Sequence, residues 1–336
     1  MKYRFLGNSG LEVSEICFGT MTFVGKDGWT NVGSSGQKDA NKLVAMAFDA
    51  GVNFFDTADI YSNGESERIF GKAIANRRSD VVIATKCGFR MKEGPNEDGL
   101  SRRRIIEACD ASLRRLGTDY IDLYQVHSYD FLTPLEETLS TLNYLVQQGK
   151  VRYLGCSNFT AGQLMKAQLL CRANGWEPLI SLQAYYSLMG RDLELDLVPV
   201  CQDQGLGVMV WGPLNGGFLS GKYRRNAPWP EGTRLKEATD MRPSDLEKGF
   251  AIIDNLVEIA ESRQVAIAQV ALNYLLRKPS ISSLVIGARD SGQLLENLGI
   301  SDWELSREEL DSLDQVSEPA KYYPHWYFDL YRKDRM

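Results

Sequence analysis

Histidine is almost missing from this chain: His127 and His325 are the two in 336 residues. So few imidazoles argue against a histidine-based metal site. Cysteine is scarcely commoner, and the six present, Cys17, Cys87, Cys109, Cys156, Cys171 and Cys201, include no C-x-x-C pair. Most sit among apolar neighbours, so they read as free buried thiols rather than disulfides or zinc ligands. Basic charge is not in excess: 38 Lys+Arg against 44 Asp+Glu give a formal net charge of -6. That balance argues against nucleic acid as a partner. No apolar run is long enough for a membrane helix, and Met1-Lys2-Tyr3-Arg4-Phe5-Leu6-Gly7 has no signal-peptide core. The expectation is a metal-free cytoplasmic protein without a membrane partner.

What the chain does contain is a repeat of short apolar runs and helical patterns. Hydrophobic residues make up 43% and charged residues 24%, ordinary values for a globular protein. Residues 3–5 and 13–16 flank the turn signature Gly7-Asn8-Ser9-Gly10 and predict a hairpin. Strand-like runs follow at 17–20, 52–55, 81–85, 120–126, 153–157, 179–183, 207–211 and 283–286. Helical patterns at 39–50, 66–75, 103–116, 134–148 and 161–173 separate the earlier ones. Eight such strands in alternation predict an α/β fold, a (β/α)8 barrel of TIM type, as a single domain over 1–336. A Gly/Ser-rich loop at 29–36 and a long loop at 215–244 interrupt the repeat. Helical runs at 245–261, 266–277 and 293–298, an extra C-terminal helix near 307–313 and an aromatic tail complete the chain.

Chemistry collects where three successive strands end. Asp56 and Tyr61 follow the first of these, Lys86 the second and His127 the third, at the end of a barrel strand where such folds place their reactions. An ammonium beside a phenol favours the phenolate, so Lys86 is expected to lower the pKa of Tyr61. Asp56 would pair with Lys86 and keep it charged. Together these groups make a tuned proton donor.

The same stretches carry a resemblance. Gly51-Val52-Asn53-Phe54-Phe55-Asp56-Thr57-Ala58 with Tyr61, Ala84-Thr85-Lys86, and Tyr120-Ile121-Asp122-Leu123-Tyr124 ending at His127 resemble the aldo-keto reductases. So do Gly149-Lys150-Val151-Arg152-Tyr153-Leu154-Gly155-Cys156-Ser157-Asn158-Phe159 and Ile286-Gly287-Ala288-Arg289 with Gln293, Glu296 and Asn297. The resemblance covers nearly the whole chain and implies a (β/α)8 barrel. It also implies NAD(P)H-dependent reduction of a small carbonyl substrate, an aldehyde and in some cases a ketone, without metal or flavin. Asp56, Tyr61, Lys86 and His127 fall on the family's catalytic tetrad.

For the cofactor the resemblance implies Gly19, Thr20, Met21 and Asp56 at one edge, with Ser157, Asn158 and Gln183 on the nicotinamide carboxamide. Trp211 would stack on the ring. Gly212, Pro213, Leu214, Gly217 and Leu219 would approach the pyrophosphate. Arg289, with Lys222 and Arg234, would hold a 2′-phosphate, beside Gly287, Gln293 and Asn297. NADP(H) is expected ahead of NAD(H), although Gly287 and Gln293 are neutral where some family members carry a basic residue. Gly216 to Lys222 fits G-x-x-x-x-G-K, but Tyr223 replaces the Ser/Thr that a nucleotide-hydrolysing P-loop needs. No G-x-G-x-x-G follows an early strand, so a Rossmann domain has no support.

Trp29, Phe89, Tyr129 and the tail with Tyr323 and Trp326 are expected to wall an apolar substrate pocket. Arg90, Lys92 and the run Arg102-Arg103-Arg104 would draw in an anion or lie as solvated surface. Two other roles stay open. The chain is also similar to the family's channel-associated beta subunits, which suggests a cofactor-binding regulatory subunit. The third is oxidation of a sugar or polyol hydroxyl.

Overall fold

The computed structural model describes residues 1–24, 33, 35–237 and 245–332. It opens on a hairpin of β1 (Tyr3–Phe5) and β2 (Glu12–Ser14), with Tyr3 opposite Ser14 and Phe5 opposite Glu12. Eight parallel strands then close into a barrel: β3 (Ile16–Gly19), β4 (Phe54–Asp56), β5 (Val82–Cys87), β6 (Ile121–Val126), β7 (Val151–Ser157), β8 (Leu179–Tyr185), β9 (Gly207–Trp211) and β10 (Ile281–Ile286). They stand in chain order round the barrel, and β10 returns to pair with β3, Val285 beside Cys17.

Helices pack outside. They are α1 (Gln37–Asp49), α2 (Glu65–Ala73), α3 (Arg102–Leu116), α4 (Leu135–Gln147), α5 (Ala161–Asn174), α6 (Leu197–Gln204), the short α7 (Arg234–Glu237), α8 (Leu246–Arg263), α9 (Ile267–Leu276), α10 (Ser291–Leu298), α11 (Arg307–Val316) and α12 (His325–Arg332). Among the described residues, no helix is long and apolar enough to cross a membrane. The six cysteines are free and buried.

Strand alternation sorts the sequence into two cores. Phe55 and Ile83 belong to the large cluster between barrel and helices. Their neighbours Phe54 and Ala84 join Cys17, Leu123 and Met209 inside the barrel, where Leu6 and Val13 of the hairpin segment complete the cluster. The hairpin therefore plugs the end at which the strands begin. Two residues further along each strand, the same period brings Gly19, Asp56, Lys86, Gln125 and Trp211 to the inward face. An apolar floor thus carries a polar layer at the carboxyl ends. Gly155 keeps that layer open, because a Cβ there would lie 2.5 Å from Ser181 Oγ and 3.1 Å from Gln125 Cγ.

Three helices go beyond the sequence reading. α6 contains Pro199, which reads as a breaker but sits in the first turn, where its missing N–H costs no hydrogen bond. α12 takes up the aromatic tail; Pro324 immediately precedes it. The loop expected at 215–244 contains a tight turn at Asn215–Ser220 and α7.

Candidate active site

The polar layer converges on Lys86. This side chain is fully buried, and its Nζ donates to Asp56 Oδ2 at 2.6 Å, to Thr57 O at 2.8 Å and to Tyr61 OH at 3.5 Å. The other oxygen of Asp56 accepts from Gln183 Nε2 at 2.8 Å and from Gln125 Nε2 at 3.4 Å. Burial pushes the Lys86 ammonium down, but the charges and hydrogen bonds of Asp56 and Tyr61 outweigh it, and the pKa ends above its ordinary value. Strand pairing fixes this geometry: Asp56 lies beside Ala84 in the β4–β5 register, and Lys86 beside Gln125 in β5–β6.

His127 stands edge-on to Tyr61, with ring centres 5.9 Å apart, and 4.5 Å from the ring of Phe89. Burial first and the Lys86 charge second push its pKa down to about 2. The imidazole is therefore neutral at any working pH. Its Nδ1 is buried without a hydrogen-bond partner, which leaves Nε2 as the nitrogen a ligand can meet.

A cavity of about 730 Å³ opens over these groups, in the size range of a ligand site. At the tetrad end it is lined by Asp56, Tyr61, His127, Met21, Ile60 and Phe89. Ser157, Asn158, Gln183, Tyr185 and Trp211 form the middle. Asn158, held at φ 57°, donates from Nδ2 to His127 O at 2.9 Å and accepts from Trp211 Nε1 at 3.2 Å. It ties the histidine strand to the indole, whose ring lies 5.1 Å from that of Tyr185.

At the far end, Gly212, Pro213, Leu214, Gly216, Gly217 and Ser220 lead to Lys222, with Gly287, Arg289, Gln293 and Asn297 opposite and Gly19 along the edge. Burial and then the charge of Arg289 push the Lys222 ammonium down. Among the described residues, no ion pair involves Lys222 or Arg289; Arg289 NH1 donates to Gly232 O at 3.2 Å, and Lys222 Nζ lies 5.5 Å from the centre of the Tyr223 ring. Both side chains line the cavity and their like charges repel, which makes this the end suited to an anion.

Several expected residues sit elsewhere. Thr20 is buried behind the cavity, its hydroxyl 2.8 Å from that of Ser66, and Leu219 turns into the core. Tyr129 packs edge-on against Phe131 and Phe159 instead of lining the cavity. Tyr323 and Trp326 are exposed on the tail, which is tied down by Tyr322 and His325 at Asp196. The basic residues at 90 and 92 are taken up by Asp98 and Glu97. Trp29 lies outside the described residues, as does the side chain of Arg234. Gln125, Ile60 and Tyr185 went unrecognised. Counting by two from His127 and Gln183 along their strands reaches Gln125 and Tyr185.

Known proteins resemble this chain over nearly all of its length. The model of the Aldo/keto reductase family matches residues 15–318. A versiconal hemiacetal acetate reductase of Aspergillus parasiticus is 36% identical, with 96% of this chain and 99% of that protein covered. A probable voltage-gated potassium channel subunit beta of Oryza sativa subsp. japonica is 35% identical over 96% of this chain and 98% of its own. A putative aryl-alcohol dehydrogenase of Schizosaccharomyces pombe is 34% identical, covering 95% of this chain and 96% of its own.

Proposed function

We propose, given that the chain belongs to the aldo/keto reductase family, that this oxidoreductase reduces uncharged aldehydes to alcohols with NADP(H), Tyr61 supplying the proton. The observation that carries this reading is the contact of Tyr61 OH with Lys86 Nζ at 3.5 Å, with Lys86 itself held by Asp56 at 2.6 Å. A phenol is a weak acid in water. The buried ammonium stabilises the phenolate left behind, which eases departure of the proton towards a carbonyl oxygen. Neutral His127 donates a hydrogen bond to the same oxygen and orients it. It is not the acid, because its proton affinity is too low to hold a second proton at neutral pH.

The far end fits a dinucleotide. Lys222 and Arg289, with no described carboxylate within ion-pair distance, suit a phosphate, glycines of the loop after β9 let backbone approach closely, and the half-exposed Trp211 indole offers a face to a planar ring. Bound there, the nicotinamide supplies the hydride. Arg289 beside Lys222 favours the form with the extra phosphate, NADP(H).

The substrate class follows from the tetrad end. Met21, Ile60 and Phe89 wall it, and among the described residues lining it the charged side chain is Asp56, engaged with Lys86. An aldehyde with an apolar or aromatic body fits that wall, in keeping with the relative named as an aryl-alcohol dehydrogenase. The potassium-channel relatives favour a second reading, a cofactor-binding subunit with negligible turnover. Loss of NADPH absorbance on addition of 4-nitrobenzaldehyde separates the two. Folded protein that binds NADPH but consumes none would leave the subunit reading standing.

A further inference from the structure

The segment carrying Tyr61 is held under strain. Ser62, Asn63 and Gly64 have φ of 48°, 54° and 88°, three successive left-handed residues between Tyr61 and α2. That conformation pushes an L side chain against its own backbone, so something outside the turn must maintain it.

Two buried acids bracket the turn, and α3 supplies a partner for each. Asp59 is 1% and Glu67 0% exposed. Arg104 NH2 donates to Asp59 Oδ2 at 3.1 Å, and Arg115 Nε donates to Glu67 Oε2 at 2.6 Å. The two arginines stand about three turns apart on α3 and so share a face. The other Glu67 oxygen accepts from Thr85 Oγ1 at 2.6 Å, one residue before Lys86, while Asp59 N–H donates to Lys86 O at 3.1 Å. Arg115 also covers the turn itself: a Cβ on Gly64 would lie 2.6 Å from its Cδ.

We propose that Asp59 and Glu67, clamped by Arg104 and Arg115, are positioning residues that fix the Tyr61 phenol against Lys86. The proposal rests on the reductase reading above, in which Tyr61 touches the reacting oxygen. It is not an argument from stability, since a buried ion pair seldom repays the loss of solvation. Asp59 makes that plain: its Oδ1 has no hydrogen-bond partner. Burial first and Glu67 second raise its pKa to about 7, against Arg104, Arg115 and the backbone of Ile60. The ionised form that Arg104 holds is therefore costly to the fold near neutrality, and what it secures is the shape of one loop.

A pH dependence follows. The groups facing Asp59 are Glu67 on α2, Arg104 and Arg115 on α3, Cys87 on β5 and Tyr124 on β6. Burial holds Cys87 up at about 12 and Tyr124 well above its ordinary value, so both stay neutral. As pH falls, Asp59 takes up a proton, its pairing with Arg104 weakens, and turnover drops on the acid side.

The test measures NADPH-dependent reduction of 4-nitrobenzaldehyde from about pH 5 to about pH 9, NADPH affinity by fluorescence, and amide hydrogen exchange over residues 57–64. Wild type, Asp59→Asn and Arg104→Lys are compared. Asp59→Asn should lower kcat between about tenfold and a hundredfold, flatten the acid limb, leave NADPH affinity within about twofold, and speed exchange over 57–64. Arg104→Lys, which keeps the cation, should retain more kcat than Asp59→Asn and still show an acid limb. Folded Asp59→Asn with wild-type kcat and an unchanged acid limb overturns the proposal. If Asp59→Asn does not fold, Arg104→Lys decides: unchanged kcat and unchanged exchange overturn it. A wild type without turnover refutes the reductase reading instead, and exchange alone then decides the clamp.

Discussion

The two ends of the cleft handle charge in opposite ways. At the tetrad end the buried lysine has a carboxylate at 2.6 Å, and that carboxylate takes two further amide donors. At the other end Lys222 and Arg289 line the cavity with no described carboxylate in reach, and Lys222 is pushed down by burial and by its neighbour. At the first end the charge of Lys86 is already matched by Asp56 within the folded chain. At the second, under the proposed function, that match falls to the cofactor's phosphate. Catalysis calls for preorganisation, because donors already aimed need not reorganise during the reaction. Binding can leave its charges unsatisfied, since the ligand's phosphate repays their desolvation.

That contrast can be broken from either side. Tyr61→Phe should have the largest effect, lowering kcat by about 10²–10⁴-fold with NADPH affinity almost unchanged, measured by steady-state kinetics beside a fluorescence titration. Arg289→Ala acts at the other end, and losing a charged hydrogen bond should cost about 1.5–3 kcal/mol of NADPH binding while NADH binding barely changes. Comparable losses for both cofactors would remove Arg289 from the 2′-phosphate. Gly64→Ala should lower stability by about 1–2 kcal/mol or more, read by urea denaturation, because φ is 88° and Arg115 is in the way. The smallest effect is a sign rather than a size. Asp59, raised to about 7 in the fold from an unfolded value near 3.9, contributes stability that is fully present below the lower value and lost as pH rises through the higher. Wild type should therefore melt at lower temperature as pH climbs from about 5 to about 8, and Asp59→Asn should lose that component of the slope.

The grouping of Asp56, Tyr61, Lys86 and His127 was legible because the strand ends that carry them were, and the family resemblance singled them out. The fold brings the four side chains together. Within the barrel, Phe54 and Asp56, and Ala84 and Lys86, follow the two-residue period of a strand. The same period places Gln125, whose amide shares Asp56 with Gln183, but an uncharged amide inside a strand carries no sequence signal of its own. The eight barrel strands followed from short apolar runs that alternate with helical patterns. Helix α6 did not, because Pro199 masks a short helix whose first turn tolerates it. Arg104 was hidden for a different reason. It belongs to the run Arg102-Arg103-Arg104, which reads as a solvated helix start, and two of the three are indeed exposed; the third is 6% exposed and reaches Asp59. Which member of a charge run turns inward depends on the packing of α3 against α2, and no local pattern reports it. The aromatic tail misled in the opposite sense. Tyr323 and Trp326 look like pocket wall, yet the tail is anchored at Asp196 and they lie exposed outside the cavity.

The central claim is that the tetrad end of the cleft donates a proton through Tyr61 while the other end holds the cofactor. A single-turnover experiment tests it most directly: enzyme loaded with NADPH is mixed with 4-nitrobenzaldehyde and nicotinamide absorbance is followed, for wild type and Tyr61→Phe at equal cofactor occupancy. The account predicts rapid loss of absorbance in wild type and almost none in Tyr61→Phe. Equal rates in the two proteins would contradict it.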